Sequence, residues 1–402
     1  MKRRQFIKTM AFSAALASQP MLFARRRGQR NPFKHFVFVN LSGAPSQLEM
    51  FDPKPKHKNG GPTKTIETKT KGLIFSEYFA NLAENSNHMA VMRMTSTDAN
   101  HGTAQAKLQY AGANTMAGPG TRPSLGAIAS YALGKDVDSG LPKYVNIGGN
   151  GMPGGFLGNE FSSYSYGGSN EFQIPQTIRR KVKKATQIRE GLRELSPVSK
   201  NKVFEEETKN EERALYVIEK GEEVFNTNME SAATRAKFTG SNGSQFLLVK
   251  RLIDYGVSSL QVNIGGWDTH SNNFTTCENK VTALDTALGA LIGELKANGK
   301  FAETLILICG EFGRTPRINY NEGRDHYAYC WNAALLSGAF TKGMVFGESS
   351  KDGTKVKNGV SLNQLLYSTL ALVGTPPRLN EKGKVPERIL PSGGGIYGLE
   401  VG

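Results

Sequence analysis

Cysteine is scarce in this sequence, and its scarcity excludes two classes of small, cross-linked protein. The 402 residues include three cysteines, Cys277, Cys309 and Cys330. An odd number of widely spaced cysteines does not form a complete disulfide framework, and the absence of a Cys-x-x-Cys pair argues against a zinc knuckle. Because Cys309 lies in an apolar run, we expect it to be a small residue of the core.

Acidic residues are also in the minority. Asp and Glu number 35 against 50 Lys and Arg, so the formal net charge is +15 and the isoelectric point lies near 9.6. An excess of positive charge favours anionic partners, such as a small anionic substrate or an anionic polymer. The sequence has no zinc-finger spacing, no RNA-binding aromatic motif and no long basic helix, so we do not expect it to bind nucleic acid.

The sequence lacks a long hydrophobic run, even at its N-terminus. Residues 1–24 combine a basic start with an Ala-rich segment from Thr9 to Ala24 that is too short and too polar to span a bilayer well. We therefore predict an export signal and no stable transmembrane segment, with an amphipathic N-terminal helix as the alternative. The stretch RRQFIK, residues 3–8, resembles a twin-arginine signal, which implies passage through the twin-arginine translocase to the periplasm or beyond the cell.

Apolar runs alternate with amphipathic segments along the rest of the chain. Runs rich in β-branched and aromatic residues predict buried strands at residues 35–41, 88–94, 142–149, 257–264, 303–310 and 333–340. Apolar residues at three- and four-residue spacing predict helices at residues 76–85, 103–111, 124–134, 244–256, 277–299 and 361–374. This alternation predicts an α/β fold, a three-layer α/β/α sandwich with a mainly parallel sheet.

One long segment differs from the rest in composition. From Pro175 to about Arg235 the chain is highly charged and has helical periodicity, so we predict an inserted helical subdomain at residues 175–240. The predicted organisation is a signal peptide at residues 1–24, a basic linker at 25–34, and one α/β domain at 35–402 that contains the insertion.

Three predicted strands end in unusual polar sequences. TSTDANHGT follows strand 88–94, GGWDTH follows strand 257–264, and GEFGRTPRINYNEGRDHY follows strand 303–310. Because ligand sites of open α/β sheets lie beyond the carboxyl ends of strands, we expect these segments to meet. Each contains a histidine with an acid nearby, and the pairs are His101 with Asp98, His270 with Asp268, and His326 with Asp325.

Histidine and carboxylate together suit a divalent transition metal such as zinc or manganese. The candidate metal ligands are Asp268, His270, Glu311, Asp325 and His326. Asp268 and His270 are two residues apart, so both can face one side of an extended segment. Asp325 and His326 are adjacent, so only one of them is expected to point at a given site. The alternative is that each acid orients its histidine without a metal.

Two arginines in the same region, Arg314 and Arg324, are candidates for binding an oxyanion. A guanidinium group can make two parallel hydrogen bonds to a phosphate- or sulfate-like group. Ordinary surface charges and helix-capping partners are the alternatives for these two residues.

Several stretches resemble the domain-of-unknown-function family 1501 of bacteria, which is grouped with the alkaline phosphatase and sulfatase superfamily. They are SGAPSQLEMFDPKP (42–55), LVKRLIDYGVSSLQVNIGGWDTH (248–270), GEFGRTPRIN (310–319) and GRDHY (323–327). The resemblance implies an alkaline phosphatase-like fold with metal ions at the strand ends. It also implies attack by Ser, Thr or formylglycine on phosphorus or sulfur.

The same resemblance implies roles for individual residues. Asp268 and His270 would fall in one metal cluster, Glu311 would replace a superfamily Asp, and His326 resembles a late histidine ligand. Phe312 stands where the superfamily has a histidine, and the first strand ends in SGAPSQ without the usual metal-binding Asp.

The reacting groups are candidates by position. No cysteine stands in a Cys-x-Pro-x-Arg motif, so formylglycine is not expected. Ser42, Ser46 and Thr103 are candidate nucleophiles, and Arg314 would stabilise an anionic transition state. His101 and Arg324 would bind the substrate.

Two functions are compatible with the sequence. One is an exported, metal-dependent hydrolase that acts on phosphate or sulfate esters of an anionic small molecule or polymer. The alternative is a catalytically inactive relative that binds an anionic glycan or another partner in the cell envelope.

Overall fold

An eight-stranded sheet runs through the centre of the computed structural model, which describes residues 31–113, 122–134, 140–167 and 220–376 and a few short pieces besides. The strands are β1 (His35–Leu41), β2 (Met89–Met94), β3 (Tyr144–Ile147), β4 (Tyr164–Tyr166), β5 (Ser259–Ile264), β6 (Thr304–Cys309), β7 (Trp331–Leu336) and β8 (Met344–Phe346). Their spatial order is β8-β2-β7-β6-β1-β5-β3-β4. In this sheet β7 runs antiparallel to its neighbours β2 and β6, and the other pairs are parallel.

Helices cover both faces of the sheet. The described helices are α1 (Ala80–Glu84), α2 (His101–Gln109), α3 (Leu125–Leu133), α4 (Ala232–Arg235), α5 (Gly243–Asp254), α6 (Asn273–Ala297) and α7 (Leu362–Leu372). Alternate residues of β1 enter two separate cores: Val37 and Val39 pack with α1, α5 and α6, while Phe36 and Phe38 pack with α2, α3 and α7. Because successive side chains of a strand point to opposite faces, these two cores define three layers. The predicted α/β sandwich with a mainly parallel sheet is confirmed.

Short antiparallel ribbons decorate the sheet. They pair Thr65–Glu67 with Ile74–Ser76, Gly313–Arg314 with His326–Tyr327, Glu348–Ser349 with Val356–Lys357, and Arg378–Leu379 with Glu387–Arg388. The second ribbon matters for the site, because it folds the long β6–β7 connection back over the edge of the sheet.

Several predicted elements have other bounds in the structure, among them α6, which begins at Asn273 rather than at 277, and β7, which ends at Leu336 rather than at 340. The helix predicted at residues 76–85 is confined to α1, and its first predicted residue, Ser76, instead ends a strand that pairs with Thr65–Glu67. The helix predicted at 103–111 begins two residues earlier, at His101, because the Asn100 side chain accepts a hydrogen bond from the Thr103 N–H and caps the helix there.

Some predictions fall outside the described residues. These include the signal at residues 1–24, most of the basic linker, and most of the helical insertion at 175–240, whose described end carries α4. Within the described part of the chain, no helix combines the length and the hydropathy needed to cross a membrane.

Candidate metal centre

Five chain segments meet at one edge of the sheet. The exits of β1, β2, β5 and β6 lie at this edge because these strands share one direction. The entry of β7 lies there too, since Trp331 pairs with Met94 at the end of β2. The histidines and acids that follow or precede these strands are therefore brought together.

Three imidazole rings surround one carboxylate oxygen. The Nε2 atoms of His270, His326 and His101 lie 3.1, 3.3 and 3.5 Å from Oδ1 of Asp268. The Nε2 atoms of His101 and His326 lie 3.0 Å from each other. We refer to His101, Asp268, His270 and His326 as the His–Asp centre.

The other nitrogen of each ring, Nδ1, has a hydrogen-bond partner outside the centre. Nδ1 of His101 lies 2.8 Å from Oε1 of Glu311, and Nδ1 of His270 lies 2.8 Å from Oδ1 of Asp325. Nδ1 of His326 lies 3.0 Å from the carbonyl oxygen of Ala99. Carbonyl and carboxylate oxygens only accept hydrogen bonds, so each neutral ring carries its proton on Nδ1. Its Nε2 atom is then unprotonated and has a free lone pair.

The His–Asp centre therefore contains converging acceptors with too few donors. Only Arg314, among the described side chains, points N–H groups at it: one at Asp268, and another 3.4 Å from Nε2 of His270. Zinc and related cations bind unprotonated imidazole nitrogens together with a carboxylate oxygen. They do so most readily when the other nitrogen of each ring is hydrogen-bonded to a carboxylate or a carbonyl, as it is here. Ligand atoms of His101, Asp268 and His326 all lie within 4.8 Å of one another.

Arg314 links Asp268 of the His–Asp centre to the backbone of the turn that follows β1. Its side chain is fully buried and donates to the carbonyl oxygens of Ala44 (2.8 Å) and Gly43 (2.6 Å) as well as to Asp268. Burial opposes the ionisation of Asp268, but the hydrogen bond and charge of Arg314 outweigh it and lower the pKa of that carboxyl to about 2. Asp268 is therefore a carboxylate at neutral pH. Arg314 was predicted to contact an anionic transition state, whereas the structure directs its donors to the protein.

Glu311 and Asp325, predicted as metal ligands, lie one hydrogen bond further out. Glu311 is 2% exposed, and its Oε1 also accepts the N–H of Gly43 at 2.9 Å. The hydrogen bond from His270 lowers the pKa of Asp325. His101, predicted to contact the substrate, takes a place among the possible ligands instead.

Phe312 lies against the rings of the centre. Its ring centroid is 4.8 Å from that of His101 and 5.0 Å from that of His326. An apolar ring at this position shields two of the imidazoles and adds no ligand.

Three other predicted residues are placed away from the centre. Ser46 is fully buried, and its hydroxyl has no partner among the described residues. Thr103 donates to Asp98 at 2.8 Å. Arg324 is fully buried and its guanidinium bonds both oxygens of Glu49, the closest contact being 2.7 Å. Arg324 therefore binds the protein rather than an exposed ligand.

A cavity of about 510 Å³ opens beside the centre. It is lined by Ser42, Gly43, His101, Gly102, Gln105, Ala106, Gln109, Tyr110, Asp268 and Glu311. One wall thus belongs to the His–Asp centre, another to a face of α2, and a third to the turn that follows β1.

Sequence reasoning missed two features of this region. The role of Glu49 had no signal, because a single acid in a loop does not reveal a buried partner in Arg324. The cavity-lining residues Gln105, Gln109 and Tyr110 were also missed. Helical spacing from His101 could have indicated that Gln105 lies on the same face of α2, four residues on.

Comparison with known proteins identifies the family. A family model described as "Protein of unknown function (DUF1501)" matches residues 33–384. The chain belongs to this family. No curated protein matches this DUF1501 protein.

Solved structures that resemble the DUF1501 protein are distant from it. The PsFucS1 sulfatase from Pseudoalteromonas sp. is 11% identical, with a TM-score of 0.41 over 93% of this chain and 72% of that one. The lipoteichoic acid synthase LtaP from Listeria monocytogenes is 10% identical, with a TM-score of 0.41 over 86% and 73%. Alkaline phosphatase from the Antarctic bacterium TAB5 is 12% identical, with a TM-score of 0.37 over 85% and 99%.

Proposed function

We propose that this DUF1501 protein is an exported, metal-dependent hydrolase of phosphate or sulfate esters. The observation that carries the proposal is the convergence of three bare Nε2 atoms on Oδ1 of Asp268. Lone pairs 3.0 Å apart repel unless a cation or a proton lies between them, and the backing of every Nδ1 favours the cation.

His101, Asp268 and His326 would hold the ion, and His270 lies beside them with its Nε2 atom 3.1 Å from the same Asp268 oxygen. A divalent ion bound there would supply Lewis-acid polarisation of an ester oxygen and a lowered pKa for a bound water or hydroxyl group. Asp268 is kept ionised by Arg314. Glu311, Asp325 and the Ala99 carbonyl fix the tautomers that expose Nε2.

The position of α2 supports an anionic substrate. His101 is the first residue of this helix. The Thr103 N–H is capped by Asn100, so the N–H groups of His101 and Gly102, which lack intrahelical acceptors, are the ones that lie beside the centre. Helix N-termini favour phosphate and sulfate groups through these donors and through the helix dipole. The net charge of +15 would draw anionic esters toward the protein.

Ser42 is the nucleophile that we propose among the predicted hydroxyls. It follows β1 directly and lines the cavity together with His101 and Asp268. Ser46 is buried and Thr103 is engaged with Asp98, so neither presents its hydroxyl to the cavity. Direct attack by water is the other route. A Ser42→Ala variant separates the two, because activity that survives at more than about a tenth of the parent rate points to water.

We expect one ion per chain. Phe312 stands where the superfamily pattern has a histidine, and the first strand ends in SGAPSQ without the metal-binding Asp of that pattern, so two of its ligands are missing. Elemental analysis of the purified protein, followed by calorimetric titration of metal-free protein with zinc or manganese, measures the stoichiometry. Asp268→Ala and His326→Ala are expected to abolish binding, and His57→Gln serves as a matched histidine control in a surface turn.

Hydrolysis is tested with 4-nitrophenyl phosphate, bis(4-nitrophenyl) phosphate and 4-nitrophenyl sulfate. We expect metal-dependent turnover of at least one, lost in Asp268→Ala and retained in His57→Gln. A protein that binds metal but hydrolyses none of them would contradict the hydrolase proposal and favour the non-catalytic alternative. Failure to bind metal would remove the proposal altogether.

A further inference from the structure

The cavity beside the His–Asp centre has a lining of unusual chemistry. It combines the two amides of Gln105 and Gln109, the hydroxyl of Ser42 and the ring of Tyr110 with two acids of the site, Asp268 and Glu311. No lysine or arginine is among the lining residues. Arg314 pairs with Asp268 from outside this lining. A second anionic group would find no lysine or arginine of its own among the lining residues and would lie near the Glu311 carboxylate, so the lining favours a ligand with a single anionic group.

A chain of amides fixes the orientation of Gln105. The carbonyl oxygen of Asn150 can only accept, so the Nδ2 of Asn146 donates to it at 2.5 Å and leaves the Oδ1 of Asn146 as an acceptor. That oxygen accepts from Nδ2 of Asn263 at 2.6 Å, and Oδ1 of Asn263 accepts from Nδ2 of Asn40 at 3.0 Å. Oδ1 of Asn40 then accepts from Nε2 of Gln105 at 3.0 Å.

The direction of this chain leaves one acceptor without a donor. Each amide uses its NH₂ group to satisfy the preceding oxygen, so Oε1 of Gln105 is left at the end, buried and unpaired. Oε2 of Glu311 is likewise buried and unpaired. A buried acceptor without a donor is unfavourable, so a small rotation of either side chain toward the cavity would let a ligand hydroxyl supply the missing hydrogen bond.

Two neighbouring groups can also bond a hydroxylated ligand. Among the described residues, neither the side chain of Gln109 nor the hydroxyl of Ser42 has a protein partner. An amide both donates and accepts, as a sugar hydroxyl does. The ring of Tyr110 adds an apolar surface of the kind that packs against the C–H face of a sugar. A volume of about 510 Å³ is within the ~300–1,000 Å³ range of small-molecule sites.

We propose that this cavity binds the neutral monosaccharide ring of a sugar phosphate or sugar sulfate monoester whose single anionic group lies at the His–Asp centre. The assignment rests on the proposed function for the placement of the anionic group. The ring hydroxyls would donate toward Gln105 and Glu311 and exchange hydrogen bonds with Gln109. A polyanionic or purely apolar alcohol would match this lining less well.

The test compares sugar esters with truncated counterparts that keep only the anionic group. Zinc-loaded protein is titrated by calorimetry with glucose 1-phosphate, glucose 6-phosphate and galactose 6-sulfate, and with methyl phosphate and methyl sulfate. We expect at least one sugar ester to bind about tenfold or more tightly than its methyl counterpart. If none of the three has this advantage, the assignment is overturned.

Variants of the lining residues test whether the tighter binding of sugar esters depends on the cavity. Gln105→Met and Gln109→Met keep side-chain length but remove the amide, so the ratio of sugar-ester to methyl-ester affinity should fall by roughly three- to tenfold in each, as loss of a hydrogen bond predicts. Lys107→Met is the matched control, because it lies on the same helix and does not line the cavity. An equal loss in the control, or an unchanged ratio in both Gln variants, contradicts the proposal.

The outcome is distinguishable from failure of hydrolysis. A protein that binds a sugar ester with the expected ratio but does not turn it over supports the cavity assignment while contradicting the hydrolase. Turnover of methyl phosphate without any preference for sugar esters supports the hydrolase and overturns the cavity assignment. A metal stoichiometry of two would assign the unpaired Glu311 oxygen to a second cation and also overturn it.

Discussion

A histidine can bind a metal only through a nitrogen that carries no proton, and in this protein the choice of nitrogen is made by residues behind the rings. Glu311 makes that choice for His101, Asp325 for His270, and the Ala99 carbonyl for His326. The sequence could predict which histidines gather at the sheet edge. It could not predict which nitrogen points inward, since that depends on side-chain rotation and on a backbone carbonyl from a distant loop.

Replacement of Glu311 by Gln should weaken metal binding about 10- to 100-fold. The amide can turn its NH₂ group toward Nδ1 of His101, which removes the preference for a bare Nε2. Calorimetric titration of metal-free protein with zinc measures the change. Glu322→Gln, at an exposed turn of the β6–β7 connection, is the control and should bind as the parent does. Equal affinity in all three proteins would show that Glu311 does not orient the ligand.

Asp268 should make stability depend on acid pH in a defined direction. Its pKa in the folded protein is about 2, below the ordinary value of 3.8, so its stabilising contribution is fully present above about pH 4 and is lost as the pH falls toward 2. In metal-free protein, the difference in free energy of unfolding between parent and Asp268→Asn should therefore shrink across this window. Urea unfolding at pH 6, 4, 3 and 2 measures it, and a constant difference would contradict the assignment.

At the scale of elements, the long connection between β6 and β7 is held down by a buried ion pair. Arg324 bonds Glu49 with both side chains fully buried, and it also donates to the carbonyl oxygens of Pro316 and Asn59. The connection carries Asp325 and His326, so this pair fixes the position of one candidate ligand and of the acid behind another.

Glu49→Ala should destabilise the protein by about 3–5 kcal/mol, because it leaves the Arg324 charge buried without a partner. The matched control is Glu84→Ala, which breaks the exposed pair with Lys69 and should change stability by less than about 1 kcal/mol. Chemical denaturation measures both. A small effect at Glu49 would mean that water or another group replaces the carboxylate.

Element positions could largely be read from the sequence, and the exceptions have identifiable causes. The strand predicted at residues 35–41 matches β1. A short uninterrupted apolar run suits a strand whose two faces are both buried, and all residues of β1 are buried. Residues 76–85 carried apolar spacing that fits a helix, yet the helix covers Ala80–Glu84 and the first predicted residue, Ser76, pairs with Thr65 in a strand. This pairing depends on the preceding segment Thr65–Glu67, and the periodicity of residues 76–85 carries no information about that segment.

For the molecule as a whole, metal binding should be linked to folding. The ligands come from segments after β2, after β5 and before β7, so the complete donor set exists only in the folded chain. An ion present at a hundred times its dissociation constant then adds about 2.7 kcal/mol to stability. Thermal melts with added zinc should show a raised Tm, and a chelator should reverse the rise. In His326→Ala we expect no such change.

Export by the twin-arginine route is a prediction about the whole chain that the described residues do not include. Changing Arg3 and Arg4 to Lys preserves charge, yet should hold the protein in the cytoplasm, because this signal depends on the arginine pair. Fractionation followed by immunodetection measures the distribution, with Lys8→Arg as a charge-preserving control outside the pair. Normal export of the double variant would favour the general secretory route or a different N-terminal function.

The inverted direction of β7 has a consequence for where the connection before it tolerates added residues. Because β7 starts at the edge of the sheet where β6 ends, both ends of the connection between them lie at that same edge. His326 is consequently found upstream of a strand, whereas Asp268 is found downstream of one. An insertion at the exposed tip of this connection, near Tyr320, would therefore lengthen the tip and leave the two ends, at β6 and β7, in place.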